Sequence, residues 1–216
     1  MDALALALAA AGAVLGFAAD RFSTRWPEHD EEHLPGRPID WRTIVCVAVG
    51  AASFGLLRQR FGGDGLALAA FGAWFVTLVV GLATDLDQRI LPDELTLPAI
   101  PIALVYAVSG LNPLVDGALV PAILAAVLIP AVLYLPSIPF GAGAFGMGDV
   151  KLLVGTGLLL GGSRALGGVL AGLLLAGVVL VVLLAARQIG RKSFIPFGPF
   201  LIIGALYGAL ILQSTL

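Results

Sequence analysis

Two short stretches of this sequence carry the side chains most able to do chemistry. The first, residues 84–94, contains Asp85, and the second, residues 146–151, contains Asp149. The surrounding chain is strongly apolar, and an Asp at the centre of a membrane helix costs about 2.5 to 3.5 kcal/mol. Acidic residues placed there despite this cost are the first candidates for function.

Asp85 and Asp149 can act as a pair. Asp85 directly follows one apolar stretch, Asp149 directly precedes another, and two more apolar stretches lie between them. Two such spans form a hairpin that returns the chain to the same membrane surface, so the carboxyl groups can meet at one depth. They cannot both ionise cheaply and would hold one proton between them. A carboxylate facing a carboxylic acid can activate a water and protonate a leaving group, as peptide-bond hydrolysis requires.

Glycines precede Asp149 in unusual number. They are Gly141, Gly143, Gly146 and Gly148. Their missing side chains would let an extended peptide backbone approach the carboxyl group closely. We therefore assign Gly146 and Gly148 to substrate binding, together with Lys151, whose ammonium group would oppose the accumulation of negative charge. The simpler alternative is that a glycine-rich turn followed by Asp149 only caps and starts a helix.

The other ionisable residues near these stretches have simpler interpretations. Asp93 stands at the start of the next apolar stretch and is interpreted as a helix cap. Asp87 and Arg89 are interpreted as a solvated pair at the membrane interface. His29 and His33 lie in a polar loop far from the glycines, and we expect them to be solvated. Because no Ser/His or Cys/His pairing is available, no acyl-enzyme chemistry is expected.

Composition places the chain in a membrane. Of the 216 residues, 59% are hydrophobic and 12% charged, and the mean hydropathy is +1.03. An ordinary soluble domain has about 25% charged residues, so the values exclude a soluble enzyme, a disordered chain and a nucleic-acid binder. Cys46 is the single cysteine. It cannot form a disulfide framework or a Cys-rich zinc site within one chain, and neither a metal ion nor a cofactor is expected.

The sequence predicts an all-α, polytopic membrane helix bundle of about eight transmembrane segments, because a spanning helix needs about 20 mainly apolar residues. The predicted segments are residues 3–19, 42–57, 65–84, 95–110, 113–135, 150–161, 164–186 and 196–213. The segment 150–161 is short and ends in glycines, so it could be a half-span that packs against protein rather than lipid.

Lysine and arginine positions indicate the orientation. With the N-terminus outside, nine of the twelve basic residues fall on the inside, and only Arg58, Arg60 and Arg164 fall outside. We therefore expect both termini outside and the Asp85 and Asp149 stretches inside. A cleavable signal peptide is the weaker interpretation of the first segment, because its arginines follow the apolar run instead of preceding it.

The two acidic stretches together resemble the type IV prepilin peptidases, also called leader peptidases, which are polytopic aspartic proteases with a Gly-x-Gly-Asp signature. The resemblance rests on Asp85-Leu86-x-x-x-x-Leu91-Pro92-Asp93 and on Gly146-Met147-Gly148-Asp149-Val150-Lys151-Leu152. It implies that Asp85 and Asp149 are the catalytic aspartates. It also implies an endopeptidase of the bacterial inner membrane, with its active site at the cytoplasmic boundary, that removes the basic leader from prepilins or pseudopilins just before their apolar helix.

The resemblance covers roughly residues 65–213 and extends more loosely over the first span. We expect residues 65–216 to form the catalytic membrane core and residues 1–64 to form N-terminal spans with a shortened cytoplasmic loop. Many bacterial relatives carry a cytoplasmic domain with two Cys-x-x-Cys pairs after the first span, associated with methylating the new N-terminus. Here the corresponding loop, residues 20–41, is short and contains no cysteine. The zinc site and the N-methyltransferase activity are therefore not carried over, although the loop's acidic residues could attract a basic leader.

Three alternatives remain open at the level of sequence. A transporter or channel could use Asp85 and Asp149 as a proton or cation site, but it would need polar residues along several spans, and few are present. A presenilin-like protease shares the Gly-x-Gly-Asp element, yet its partner motif is Tyr-Asp, whereas Thr84 precedes Asp85 here. The archaeal preflagellin peptidases remain close.

Overall fold

A computed structural model of the chain describes residues 2–29, 35–140, 145–189 and 196–213. All regular structure in these ranges is helical. The elements are α1 (Ala3–Ser23), α2 (Trp41–Phe61), α3 (Gly65–Gln88), α4 (Asp93–Val108), α5 (Leu119–Tyr134), a 3-10 helix (Leu135–Phe140), α6 (Met147–Ala185) and α7 (Gly198–Leu210). Five are long and apolar enough to cross a membrane: α1, α2, α3, α6, and α5 continued through the 3-10 helix. The prediction of an all-α, polytopic membrane bundle is confirmed.

The described ranges contain seven α-helices where eight segments were predicted, because two predicted segments join in α6. This helix is 39 residues long and is broken at Gly161, whose φ of 74° and ψ of −178° are not helical. Such a positive φ is open to glycine at little cost. The break falls at the end of the predicted segment 150–161, so α6 consists of two helical halves.

Contacts on either side of Gly161 show that the two halves run in opposite directions. In the first half, Gly157 packs against Ala126 of α5. The start of this half lies beside the start of α7, because the rings of Phe145 and Phe197, which precede the two helices, are 5.9 Å apart. In the second half, Gly168 packs against Gly204 and Gly172 against Phe200, so this half runs antiparallel to α7 and back toward the start of α7. The first half spans about 14 residues, roughly 21 Å, which is short of the ~30 Å hydrocarbon core.

Glycines allow the helices to approach each other closely. A Cβ placed on Gly12 of α1 would lie 2.2 Å from the carbonyl oxygen of Gly50 in α2, and one on Gly168 would lie 2.5 Å from the carbonyl oxygen of Gly204. Helices in lipid gain little from the hydrophobic effect, so close backbone packing supplies much of their association. These contacts hold α1 to α2 and α6 to α7.

Helix α3 lies at the centre of the bundle. Its large side chains Phe71, Phe75, Leu78 and Leu82 are fully buried, whereas α4, α5 and the second half of α6 expose many large apolar side chains. Contiguous apolar surface of this kind fits a lipid environment. A helix packed on most of its faces is held firmly, so Asp85 near its C-terminal end has a well-fixed backbone.

The turn after α3 leads directly into α4. Arg89 ends α3 in the left-handed region, with φ 59° and ψ 34°, and its N–H donates to the Asp85 carbonyl oxygen at 2.9 Å. Pro92 is the N-cap of α4 and Asp93 its first residue. The interpretation of Asp93 as a helix cap is therefore wrong, because the cap position is filled by the residue before it.

We expect Gly168→Ala to lower the stability of the bundle by about 1–3 kcal/mol, because the added methyl group would collide with the α7 backbone. Gly177→Ala is the matched control, since a Cβ on Gly177 of the same helix meets no atom within 4 Å. The apparent unfolding temperature in detergent, followed by tryptophan fluorescence, measures the difference. Equal unfolding temperatures for the two variants would contradict the packing described for α6 and α7.

Candidate active site

Asp85 lies in the last turn of α3 and is 5% exposed. Its Oδ2 is buried without a hydrogen-bond partner among the described residues. The first residue of α7 closes one side of the carboxyl group: the backbone amide of Gly198 faces it, and a Cβ on Gly198 would lie 2.8 Å from Oδ2. Only a glycine can bring α7 this near to the Asp85 carboxyl.

Asp149 lies in the first turn of α6 and is 9% exposed. The N-cap position is occupied by Gly146, so Asp149 is not the cap itself. The Gly146 amide faces its carboxyl group, while Oδ1 is buried and has no partner within the described part of the chain. A helix N-terminus favours negative charge, so this position suits a carboxylate.

The structure brings Asp85 and Asp149 together, as the hairpin formed by α4 and α5 predicts. Both lie beside the start of α7: Gly198 packs against the Asp85 carboxyl group, and the ring of Phe145, just before α6, is 5.9 Å from the ring of Phe197. The contact that joins their helices is made by Gly148, because a Cβ there would lie 2.7 Å from Leu91 Cβ and 2.8 Å from the Leu91 carbonyl oxygen. The start of α6 thus rests directly on the turn that follows α3.

The assigned substrate-binding residues have different surroundings. Gly146 lies beside the Asp149 carboxyl group, whereas the space at Gly148 is taken by Leu91. Lys151 donates to Asp93 Oδ1 at 2.5 Å, and Asp93 is 58% exposed. Lys151 therefore ties the two acidic stretches together at the edge of the site. Gly141 and Gly143 lie outside the described residues.

The prediction that Asp87 and Arg89 form a solvated pair is wrong. Asp87 is 7% exposed, and its Oδ1 accepts hydrogen bonds from Arg37 Nε at 2.5 Å and Arg42 Nη1 at 3.2 Å. The reason is helical geometry, because residues two apart point to nearly opposite faces. Asp85 therefore faces α6 and α7, while Asp87 faces Arg37 in the loop after α1 and Arg42 in the first turn of α2.

His29 is also not solvated, contrary to the sequence-based expectation. Its ring is nearly buried, with Nε2 3.4 Å from Asp87 Oδ2. His33 lies outside the described residues. Among the residues that the structure describes, no group of His, Cys, Asp and Glu side chains is arranged to hold a metal ion.

Sequence reasoning missed two features around this site. Gly198 contacts Asp85, and the pair Gly198-Pro199, a common helix-start signal, could have drawn attention to it. Asp20 at the end of α1 is fully buried and accepts hydrogen bonds from Thr43 at 2.7 Å and from Arg21. No local pattern in the sequence predicts that Asp20 is buried, because Thr43 lies in α2 and Arg37 in the following loop, and only Arg21 is a neighbour in the chain.

Comparison with known proteins finds one matching family and several relatives of similar name. Residues 75–186 match the model of the type IV leader peptidase family. The chain is 36% identical to a prepilin leader peptidase/N-methyltransferase of Burkholderia pseudomallei, over 74% of this chain and 52% of that protein. The similarly named proteins of Xanthomonas campestris pv. campestris and Pseudomonas aeruginosa are 34% and 32% identical, over 74% and 82% of this chain and 53% and 60% of their own.

The chain spans about half the length of the first of these curated relatives. No solved structure is significantly similar to it.

We expect Asp87→Ala to destabilise the protein by about 1–3 kcal/mol, because buried Arg37 would lose one of its acceptors. Asp93→Ala should cost about 1 kcal/mol or less, because an exposed ion pair is largely screened by water. Chemical unfolding of the two purified variants in the same detergent gives the comparison. A larger loss for Asp93→Ala than for Asp87→Ala would contradict the burial described here.

Proposed function

The chain belongs to the type IV leader peptidase family, and on that basis we propose that it is a membrane aspartic endopeptidase that cleaves the leader from type IV prepilins or pseudopilins. The observation that supports this activity best is the buried pair of carboxyl groups, Asp85 and Asp149, each with an oxygen that has no partner among the described residues. Family membership does not favour the alternative of a transporter or channel.

The proposed reaction uses the two carboxyl groups as base and acid. A water lies between them, and one carboxylate removes a proton as the water oxygen adds to the scissile carbonyl carbon. The other carboxyl gives its proton to the amide nitrogen, and the C–N bond breaks to leave a carboxylic acid and an amine. The N-terminus of α6 favours negative charge on Asp149, so we assign the base to Asp149 and the acid to Asp85.

The proposed substrate is amphiphilic. Its basic leader would lie in the cytoplasm, and its apolar helix would lie in the bilayer beside the enzyme, so that the cleaved bond meets the site at the membrane boundary. Exposed Glu28 and Glu94 near this end of the bundle can attract basic leader residues. The excess of lysine and arginine on this side supports an orientation with the N-terminus outside and the site facing the cytoplasm.

We further propose that residues 65–216 form the catalytic membrane core and residues 1–64 an N-terminal pair of spans. The family match at residues 75–186 lies within residues 65–216, which supports this division of the chain. The names of the relatives also include N-methyltransferase, but the proposal is confined to cleavage. The loop of residues 20–41 carries no cysteine that could form the zinc site associated with the methylating domain.

We expect Asp85→Asn and Asp149→Asn each to lower kcat about 10²–10⁴-fold, the usual loss when a general acid or base is removed. The assay is cleavage of a prepilin-type peptide, with a basic leader before an apolar helix, by purified protein in liposomes. Asp116→Asn is the matched control, because Asp116 is exposed in the loop that precedes α5, far along the chain from both motifs.

Full cleavage by either dyad variant would remove that residue from the proposed mechanism. Absence of cleavage by the wild type, together with a proton flux into the same liposomes that either Asn variant abolishes, would favour the transporter.

A further inference from the structure

Arg37, in the loop between α1 and α2, joins three carboxyl groups from three helices. Its guanidinium donates to Asp20 at the end of α1, to Asp40 at 2.9 Å and to Asp87 at 2.5 Å. Asp40 is the N-cap of α2, and Asp87 is in the last turn of α3. One loop side chain thus connects the ends of three helices at the level of the candidate active site.

The chemistry of this contact calls for an arginine. The Arg37 side chain is only 11% exposed. Burial alone would lower the pKa of its guanidinium, but hydrogen bonds and charge from Asp20 and Asp87 outweigh burial and hold this pKa above its ordinary value. A guanidinium has five donors in a planar fork and can bind several carboxylates at once, whereas a lysine ammonium is a single point of charge.

The same loop holds the last turn of α3 at a second point. The side-chain amide of Gln88 donates to the carbonyl oxygens of Ser23 at 3.1 Å and Pro27 at 3.2 Å. Asp87 and Gln88 are consecutive, so the turn that carries Asp85 is tied to the α1–α2 loop through both of them.

By contrast, few hydrogen bonds hold the carboxyl group of Asp85 in place. Its Oδ2 has no hydrogen-bond partner in the described parts of the chain, and its near neighbour is the Gly198 amide. The place of this carboxyl group therefore depends on the backbone of the turn. Displacing a reacting group by about 1 Å can slow a reaction about 100-fold.

We propose that Arg37 is a positioning residue for peptide cleavage: by fixing Asp87 it sets the last turn of α3, and so the approach of Asp85 to Asp149. The proposal rests on the proposed function. Under this proposal the loop between α1 and α2 affects the rate of cleavage through the position of Asp85, although Arg37 contacts neither the substrate nor the reacting atoms.

The test compares Arg37→Gln, Arg37→Lys and the wild type in the liposome cleavage assay, with rates expressed per folded molecule. We expect Arg37→Gln to lower kcat at least about 10-fold with KM changed less than about 3-fold, and Arg37→Lys to recover only part of the loss. Arg25→Gln is the matched control, because Arg25 is an exposed arginine at the start of the same loop. An unchanged kcat, a change confined to KM, or full activity of Arg37→Lys would overturn the proposal.

A second variant, Asp87→Asn, keeps the test decisive if Arg37→Gln folds poorly, and where both fold the two variants complete a double-mutant cycle. Asp87→Asn removes the charge that Arg37 binds but leaves the shape of the side chain, and it should lower kcat in the same direction. If the two residues act through one contact, the double variant Arg37→Gln/Asp87→Asn will be no slower than the slower single variant. Losses that multiply in full would show independent effects and overturn the proposal.

A measurement that does not depend on activity separates this proposal from the proposed function. Hydrogen exchange of the amides of residues 85–89 should be faster in Arg37→Gln than in the wild type and unchanged in Arg25→Gln. If the wild type cleaves no prepilin-type peptide, the proposed function falls while exchange still tests the positioning. Unchanged exchange at these amides in Arg37→Gln overturns the positioning alone.

Discussion

The contact between Gly148 and Leu91 is the constraint on which the rest of the site depends. It seats the start of α6 on the turn after α3 and so brings two buried carboxyl groups to one place. Burying carboxyl groups without full hydrogen bonding is unfavourable. This unfavourable burial occurs where the two acidic motifs meet. There one oxygen of Asp85 and one of Asp149 have no hydrogen-bond partner among the described residues and could bind a water.

A second group of charged side chains, some buried and some partly exposed, lies next to this junction, and its carboxyl groups are paired with arginines. Three acids and three arginines contact one another there: Asp20, Asp40, Asp87, Arg21, Arg37 and Arg42. Their charges balance, and Asp20 and Asp87 each accept hydrogen bonds from more than one side chain, so this group stabilises the ends of α1, α2 and α3. Among the described residues, the buried carboxyl groups of Asp20 and Asp87 are paired with arginines, whereas Asp85 and Asp149 each keep a buried oxygen without a hydrogen-bond partner.

The apolar part of the bundle sets how closely the helices pack. Glycine contacts between α1 and α2 and between α6 and α7 bring backbones together where the hydrophobic effect is weak. The break at Gly161 turns α6 back on itself. The first half of α6 can therefore be short, and Asp149 at its start is placed level with Asp85.

The sequence by itself determined the class of protein, the positions of most helices, the two acidic motifs and the family they resemble, because apolar run length and motif spacing are local properties. It predicted that Asp85 and Asp149 meet, since a hairpin of two spans must return to its starting side. It placed Asp87, His29 and Asp93 wrongly, and it missed Gly198 and Asp20. Only the tertiary structure decided what these side chains contact, because burial and pairing depend on which helix faces each of them. Asp87, for example, pairs with Arg37, fifty positions away in the sequence.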